Sequence, residues 1–256
     1  MNKILNRDYL FLSPIDLLSI QQCIRYIIEY EYREFGYIVT PNVDHIIRLN
    51  KNPLLVDVYN SALFSLCDSR IVKILAMFCS VKIPEVITGS DLTRILFDEI
   101  IAQEDRITII GSDVSSIEKL KKKYSLRYIC HYCPPMGFYK DDVEITKCIE
   151  FVQDHPSRFV FFAVGSPQQE VLAYKIYQNG ESTGLGFCIG ASINFLTGSE
   201  TRAPKFVQML ALEWLFRLIQ NPKRLWKRYL VENIKIFPIF FRCLGQKLTR
   251  GDRKTI

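Results

Sequence analysis

A buried strand that ends abruptly at a turn with glycine and proline is the part of the sequence best suited to bind a ligand. Residues 158–164 form an apolar run, and the segment Gly165-Ser-Pro-Gln-Gln-Glu170 follows at once. A serine before the proline predicts a helix start with proline at the first helical position. Ligands bind at such carboxyl ends of strands, and unpaired N–H groups at a helix start suit an anion such as a diphosphate. Taken alone, Gln169 and Glu170 would lie in an exposed first helical turn.

Polar side chains also mark the ends of two other predicted strands. Asp68 comes directly after the apolar run 63–67, and Thr40 and Asn42 lie at the end of the run 37–40. Taken alone, Asp68 is favoured as the N-cap of the following helix, and Thr40 and Asn42 as turn and cap residues. Partial desolvation at a strand end would also raise the pKa of Asp68 toward the working range of a proton acceptor.

Short apolar runs that alternate with helical patterns organise the first 200 residues and position these side chains. The alternation predicts an α/β, Rossmann-like fold with a mainly parallel, doubly wound sheet and helices on both faces. The predicted strands are residues 37–40, 63–67, 106–111, 127–130, 159–164 and 185–189. The predicted helices are residues 42–51, 53–61, 69–80, 90–104, 113–124, 141–154 and 167–179.

The last fifth of the chain differs from the rest in charge and in pattern. Residues 202–256 hold 13 lysines and arginines against three acidic residues, whereas the remainder holds 20 basic and 24 acidic residues. The turn region 198–204 is the best boundary, so we expect an α/β core over residues 1–201 and a basic helical appendage over 202–256. The appendage contains two predicted helices, residues 205–219 and 222–237.

The second of these helices is amphipathic and cationic. One side carries apolar and aromatic residues, and the other carries four basic residues, which suits a helix lying on an anionic membrane surface. Packing of the apolar stripe in an ordinary core, a solvated basic helix and a nucleic-acid-binding surface are the alternatives. The wide apolar face of this helix argues against a nucleic-acid-binding surface. The apolar stripe consists of Leu225, Trp226, Tyr229, Leu230, Ile234 and Phe237, and the basic residues are Lys223, Arg224, Lys227 and Arg228.

The overall composition is that of a globular protein. The chain is 48% hydrophobic and 23% charged, without a signal-peptide pattern or a run of about 18 apolar residues. We therefore expect a cytoplasmic protein, with its eight scattered cysteines reduced and buried.

Several common kinds of site are poorly supported by the sequence. An Asp-x-Asp pair is absent, so a metal-bridged diphosphate is not expected, and no cofactor is expected either. The segment Cys130-His-Tyr-Cys133 has zinc or redox spacing but lacks a second pair of ligands. Gly184, Gly186 and Gly190 do not have the spacing of a dinucleotide fingerprint.

Several blocks of sequence over about residues 36–230 match the motifs of a known family in their order and spacing. The chain resembles the WecG/TagA/CpsF glycosyltransferases, known as glycosyltransferase family 26. The two most specific blocks are Gly165-Ser-Pro-Gln-Gln-Glu170 and Leu212-Glu-Trp-Leu-Phe-Arg217. The other matching blocks are Thr40-Pro-Asn-Val-Asp44, Leu66-Cys-Asp-Ser69, Pro84-Glu85 with Thr88-Gly-Ser-Asp91, Pro134-Pro135, Gly190-Ala191, Arg202-Ala-Pro204 and Asn221-Pro-Lys-Arg-Leu-Trp-Lys-Arg-Tyr-Leu230.

The resemblance implies an activity and a partner set. Such enzymes transfer a sugar from a UDP-sugar to a polyprenyl-diphosphate-linked saccharide, with inversion and without a required metal, in the synthesis of bacterial surface polysaccharides and teichoic acids. It therefore implies a place on the cytoplasmic face of the cell membrane, with UDP-sugar, lipid-linked acceptor and anionic lipid as partners. An assembly of identical chains stays open.

The resemblance also assigns roles to residues of this sequence. Asp68 matches the general base, which takes the proton of the acceptor hydroxyl. Thr40, Asn42, Gln169 and Glu170 are expected to bind donor or acceptor, with Gln169 the better match of the last two. Planar, permanently charged guanidinium groups suit the UDP diphosphate. The arginines implied for this role are Arg217, Arg224 and Arg228.

The sequence departs from the family pattern beside the expected active site. Ser69 replaces the usual glycine and is followed by Arg70, Val86 stands where arginine is expected, and Asn194 replaces a frequent aspartate. Three explanations of the missing cation at position 86 are open: an offset by the nearby Arg70, a different donor sugar, or a weakened enzyme. We favour a different donor sugar. The alternative is a non-catalytic member of the family that binds a UDP-sugar or lipid-linked glycan.

Overall fold

The centre of the molecule is a six-stranded parallel sheet with the order β4-β3-β8-β7-β5-β6. A computed structural model describes residues 6–251 of the chain. The sheet strands are β3 Phe35–Val39, β4 Phe64–Ser65, β5 Arg106–Gly111, β6 Tyr128–Tyr132, β7 Phe159–Ala163 and β8 Gly184–Cys188. They are preceded by an antiparallel hairpin of β1 Arg7–Leu10 and β2 Ser13–Asp16. The predicted α/β fold is confirmed.

Helices connect the strands and dominate the described part of the chain after Pro204. The helices before Pro204 are α1 Ile20–Ile28, α2 Val43–Lys51, α3 Val56–Asn60, α4 Arg70–Phe78, α5 Gly89–Ile95, α6 Val114–Tyr124, α7 Asp142–Asp154, α8 Gln168–Asn179 and α9 Ser192–Leu196. Those after it are α10 Lys205–Met209, α11 Glu213–Gln220, α12 Pro222–Lys227 and α13 Ile236–Gly251. A π-helical turn, Arg228–Glu232, and a 3-10 turn, Asn233–Lys235, join α12 to α13.

Each face of the sheet has its own apolar core, because successive side chains of a strand point to opposite faces. Along β7, Phe159 and Phe161 pack on one face with residues of α5 and α6, whereas Val160 and Phe162 pack on the other with residues of α7 and α8. Burial on both faces explains why this strand is an uninterrupted apolar run in the sequence.

The boundaries of several predicted elements are wrong by a few residues. In the edge strand β4 only two residues pair as strand, although Leu66 N–H still donates to Val39 O at 2.9 Å. Strand β6 begins and ends later than predicted. The helix predicted over residues 205–219 is broken into α10 and α11 because Ala211 takes a left-handed conformation with φ of 59°.

The start of α8 also differs from the prediction. Gly165 takes the left-handed turn conformation with φ of 83°, and the helix begins at Gln168 with Pro167 at the cap position. The predicted start, with Pro167 as the first helical residue after Ser166, is therefore wrong by one residue, and the hydroxyl oxygen of Ser166 accepts a hydrogen bond from Arg48 at 2.8 Å.

The second predicted helix of the appendage continues well past its predicted end at residue 237. Pro238 is tolerated because it lies in the first turn of α13, where its missing N–H costs no helical hydrogen bond. Ile236 and Phe240 pack with Val43 and Ile46 of α2, so α13 rests on the α/β core. Within the predicted apolar stripe, Leu225 is buried, as the alternative of ordinary core packing expects. The side chains at 226, 230, 234 and 237 are about half exposed.

Candidate active site

The main cavity of the described residues lies where the carboxyl ends of β3 and β4 meet the helices after Pro204. It has a volume of about 470 Å³ and draws its walls from α4 and the start of α5 on one side, and from α11 and the 228–237 segment on the other. Both apolar and charged side chains line it. The charged and amide residues that line it are Asn42, Asp68, Arg70, Asp91, Gln208, Glu213, Arg217, Arg228 and Asn233.

Asp68 lies three residues after β4 and lines this cavity. Its N–H donates to Pro41 O at 2.9 Å, which ties the end of β4 to the end of β3. The hydroxyl of Ser69, not the carboxylate of Asp68, accepts from Val72 N–H at 3.2 Å and caps α4. The helix-cap interpretation of Asp68 is therefore wrong, and its carboxylate is free to face a ligand.

The surroundings of Asp68 raise the pKa of its carboxyl group to about 7. Burial is the largest cause, and the negative charge of Glu213 adds to it. The positive charge of Arg217 and a 3.4 Å hydrogen bond from Gly89 N–H oppose the increase. A carboxyl group with a pKa near neutrality can accept and release a proton under ordinary conditions.

Glu213 and Arg217 form an ion pair one turn apart on α11, and both line the cavity. The guanidinium carbon of Arg217 lies 5.3 Å from the ring centre of Phe195, a cation–π distance that holds this arginine against α9. The positive charge of Arg217 also lies close enough to Asp68 to oppose the increase in the pKa of its carboxyl group.

The other two predicted arginines differ in position. Arg228 lines the cavity and pairs with Asp44 at 3.2 Å, and Asp44 also pairs with Arg48 of the same helix α2. Arg224 is exposed and does not line the cavity. The structure thus brings two of the three arginines to the cavity that Asp68 lines, and the role of all three in binding a diphosphate stays a prediction.

Asn42 and Thr40 lie at the end of β3. The side-chain oxygen of Asn42 accepts from Asp44 N–H at 3.1 Å and caps α2, and Asn42 also lines the cavity. Thr40 is buried beside Gly89, where a Cβ on that glycine would lie 3.1 Å from the threonine hydroxyl oxygen. Thr40 does not line the cavity.

Gln169 and Glu170 are buried and belong to a polar network beneath the site. The expectation of an exposed helical turn is wrong for them, since they are only 4% and 1% exposed. Gln169 accepts from Gly190 N–H at 2.9 Å and donates to Glu170 at 2.7 Å. Neither residue lines the cavity.

His45 connects this network to the cavity wall. Its Nδ1 accepts from Asn42 N–H at 3.1 Å, and its Nε2 lies 3.4 Å from a carboxylate oxygen of Glu170. Since Nδ1 is an acceptor, the imidazole proton belongs on Nε2, facing Glu170. The network therefore joins the start of α8 to the cap of α2, where Asn42 lines the cavity.

Two contributors to the site were not predicted. Arg202 binds both carboxylate oxygens of Asp91, at 2.7 and 2.9 Å, and fixes the chain where it enters the helical segment. Glu213 lies in one of the family blocks without a predicted role, although its spacing of four residues from Arg217 is that of a helical ion pair.

Three further features of the described residues concern metal-ligating groups, the burial of cysteines and helices that could span a membrane. Residues 6–251 contain no group of three or more metal-ligating side chains. Cys133 is exposed, so the expected burial of the cysteines is wrong there. In the same part of the chain, no helix has both the length and the apolarity needed to cross a bilayer.

The parallel sheet and the cavity at its carboxyl edge, with a carboxylate opposite two arginines, suit an enzyme that transfers a group carried by an anion. Comparison with known sequences identifies the family. Residues 9–253 match the Glycosyl transferase WecG/TagA/CpsF family, and the chain belongs to that family of glycosyltransferases.

Two curated relatives are similar to this chain over most of their length. Both are named N-acetylglucosaminyldiphosphoundecaprenol N-acetyl-beta-D-mannosaminyltransferase. The protein of Bacillus spizizenii strain W23 is 29% identical over 199 residues, which are 76% of this chain and 75% of the relative. That of Bacillus subtilis strain 168 is 29% identical over 178 residues, which are 68% of this chain and 67% of the relative.

Proposed function

We propose that this protein transfers a sugar from a UDP-sugar to a polyprenyl-diphosphate-linked saccharide, with inversion, in the synthesis of a bacterial surface polysaccharide or teichoic acid. Family membership and the names of the two relatives support the lipid-linked acceptor. The single observation that carries the proposal is the carboxylate of Asp68, with a pKa near 7, facing Arg217 and Arg228 across one cavity.

The proposed reaction is a single displacement. Asp68 takes the proton of the acceptor hydroxyl as its oxygen forms a bond to the anomeric carbon of the donor sugar. The bond between that carbon and the diphosphate breaks, and UDP leaves with the electron pair. Arg217 and Arg228 balance the charge on the leaving diphosphate, so the transfer needs no divalent metal. Attack from the side opposite the leaving group inverts the anomeric centre.

The remaining predicted residues have supporting roles in this proposal. Asn42 offers its side chain to the sugar, since it lines the cavity. Gln169 and Glu170 stabilise the start of α2 through His45. Thr40 packs beside Gly89, whose N–H donates a hydrogen bond to the carboxylate of Asp68. Arg224 is free to bind the diphosphate of the lipid-linked acceptor or the anionic membrane surface.

A transfer assay tests the proposal directly. Candidate donors are found by screening UDP-sugars for protection against thermal unfolding, because a ligand at 100 times its dissociation constant adds about 2.7 kcal/mol to the stability. The sugar of the identified donor should then be transferred to a GlcNAc-diphosphate-lipid, and this transfer should persist in excess EDTA. Loss of activity that magnesium or manganese restores would contradict the metal-independent mechanism.

A non-catalytic member of the family that binds the same ligands is the second candidate. One observation favours it, since three of the departures from the family pattern, Ser69, Arg70 and Val86, all line the cavity. Stabilisation by a UDP-sugar without transfer to any lipid-linked acceptor would support this candidate, whereas measurable transfer excludes it.

A further inference from the structure

Helix α4 of the α/β core presents an exposed apolar face beside the cavity. Ile74, Met77 and Phe78 are 50%, 67% and 65% exposed, and they continue the line of Ile71, which lies in the cavity wall. Residues at spacings of three and four lie on one side of a helix, so these side chains form one strip that leads away from the cavity. Large exposed apolar strips of this kind mark interaction surfaces.

Helix α13 carries a second apolar strip that meets the first. Phe237 lines the cavity and is 48% exposed, and Phe241 one turn later is 64% exposed. The rings of Phe78 and Phe240 are in edge-to-face contact with centroids 6.0 Å apart, which places the end of α4 against α13. The strips therefore meet near Phe78, and Ile71 and Phe237 at their other ends both line the cavity.

The charge around these strips is positive. Residues 69–83 hold Arg70, Lys73 and Lys82 without an acidic residue, and α13 adds the exposed Arg242 beside Phe241, whereas Lys235 is paired with Glu232. An apolar strip with a cationic margin suits the interface of an anionic bilayer, where apolar side chains enter the headgroup region and basic side chains contact phosphates. A second protein chain would require acidic residues opposite these cations.

We infer that α4 and α13 together form a lipid-facing surface, so that the α/β core itself contacts the membrane and the cavity opens toward the bilayer between the two helices. This inference rests on the proposed lipid-linked acceptor and adds a membrane contact outside the basic helix predicted over residues 222–237. A polyprenyl chain anchored in the bilayer would then pass between Ile71 and Phe237, and its diphosphate would reach the arginines that line the cavity.

The test compares two double variants that add the same charge at different places. Ile74→Glu with Met77→Glu changes exposed side chains of α4, and Val114→Glu with Val143→Glu changes side chains of similar exposure on α6 and α7. Binding is measured by co-sedimentation with vesicles of phosphatidylcholine containing one third phosphatidylglycerol. The α4 variant should bind about tenfold or more weakly than the wild type, whereas the control should bind as the wild type does.

Two acceptors separate this inference from the proposed function. Transfer to a long-chain acceptor in vesicles should fall in the α4 variant, and transfer to a short-chain, water-soluble acceptor should be unchanged. Equal vesicle binding by both variants would overturn the lipid-facing surface even if transfer is normal. A wild-type dimer that the α4 variant dissociates would assign the surface to a second copy and would also overturn it. Absence of transfer to either acceptor by the wild type would instead contradict the proposed function.

Discussion

At the scale of single residues, the chemistry of this site depends on which of two neighbours caps a helix. Asp68 and Ser69 are both good N-cap residues, and the sequence favours Asp68 in that role when taken alone. In the structure Ser69 caps α4, so the carboxylate of Asp68 remains available in the cavity. The strand-end position of Asp68 was predictable from the apolar run before it. The influence of Glu213 was not, because the fold brings it from far along the chain.

The raised pKa of Asp68 predicts how turnover depends on pH. Burial raises the pKa of this carboxyl group to about 7, and only the ionised form accepts a proton. Below that pH Asp68 is protonated, so kcat/KM should rise with pH through about 7 and level off above it. A profile of kcat/KM from pH 5 to 9 measures this. A profile already level at pH 5 would show that Asp68 does not set the acid limb.

Changing Glu213 should move that profile in a defined direction. Glu213→Gln removes a negative charge that raises the pKa of Asp68, so the acid limb should shift to lower pH. Glu232→Gln is the matched control, since Glu232 pairs with Lys51 and Lys235 away from Asp68 and should leave the limb in place. An unchanged limb in Glu213→Gln would mean that the charge of Glu213 does not act on Asp68.

At the scale of elements, the sequence predicted the strands and helices between residues 37 and 189 well, whereas the β1–β2 hairpin, α1 and α9 were not predicted. Strands buried on both faces give long apolar runs, which are easy to recognise. The β1–β2 hairpin turns at Phe11 and Leu12, both with positive φ, and neither residue type signals a turn. The break between α10 and α11 at Ala211 was not predictable from the sequence either, because alanine favours a continuous helix.

The bidentate pair between Arg202 and Asp91 should contribute measurable stability where the helical segment leaves the core. Arg202 is mostly buried and binds both carboxylate oxygens, so Arg202→Ala should lower the free energy of unfolding by about 1–2 kcal/mol. Arg33→Ala is the control, because its pair with Glu31 is highly exposed and should contribute almost nothing. Urea unfolding of both variants checks this, and equal effects would deny Arg202 an anchoring role.

At the scale of the whole molecule, the charge asymmetry and the parallel sheet were predictable, and the cavity was not. The sequence shows that residues 202–256 are basic and the rest is slightly acidic. It does not show that α11 and the 228–237 segment fold over the ends of β3 and β4 to close the site. The division into a core and an appendage stays a prediction. Because Ile236 and Phe240 pack against α2, point variants test the appendage more cleanly than its removal.

Exposed lysines of α12 should govern the salt-sensitive part of membrane binding. Lys223→Glu with Lys227→Glu reverses two exposed charges, so the dissociation constant for anionic vesicles should rise about tenfold or more at low salt. The difference should shrink as salt is added, because exposed charges are screened. Lys121→Glu with Lys122→Glu on α6 is the matched control. Equal weakening by both double variants would indicate a general effect of net charge.

The most direct test of the central claim is the turnover of Asp68→Asn with a UDP-sugar and a lipid-linked acceptor. Asparagine keeps the shape of the side chain but cannot take the proton, so we expect intact folding, normal stabilisation by the donor and turnover reduced about 100-fold or more. Asp57→Asn, at an exposed position of α3, should retain full activity as the control. Turnover of Asp68→Asn close to that of the wild type would contradict the assignment of Asp68 as the catalytic base.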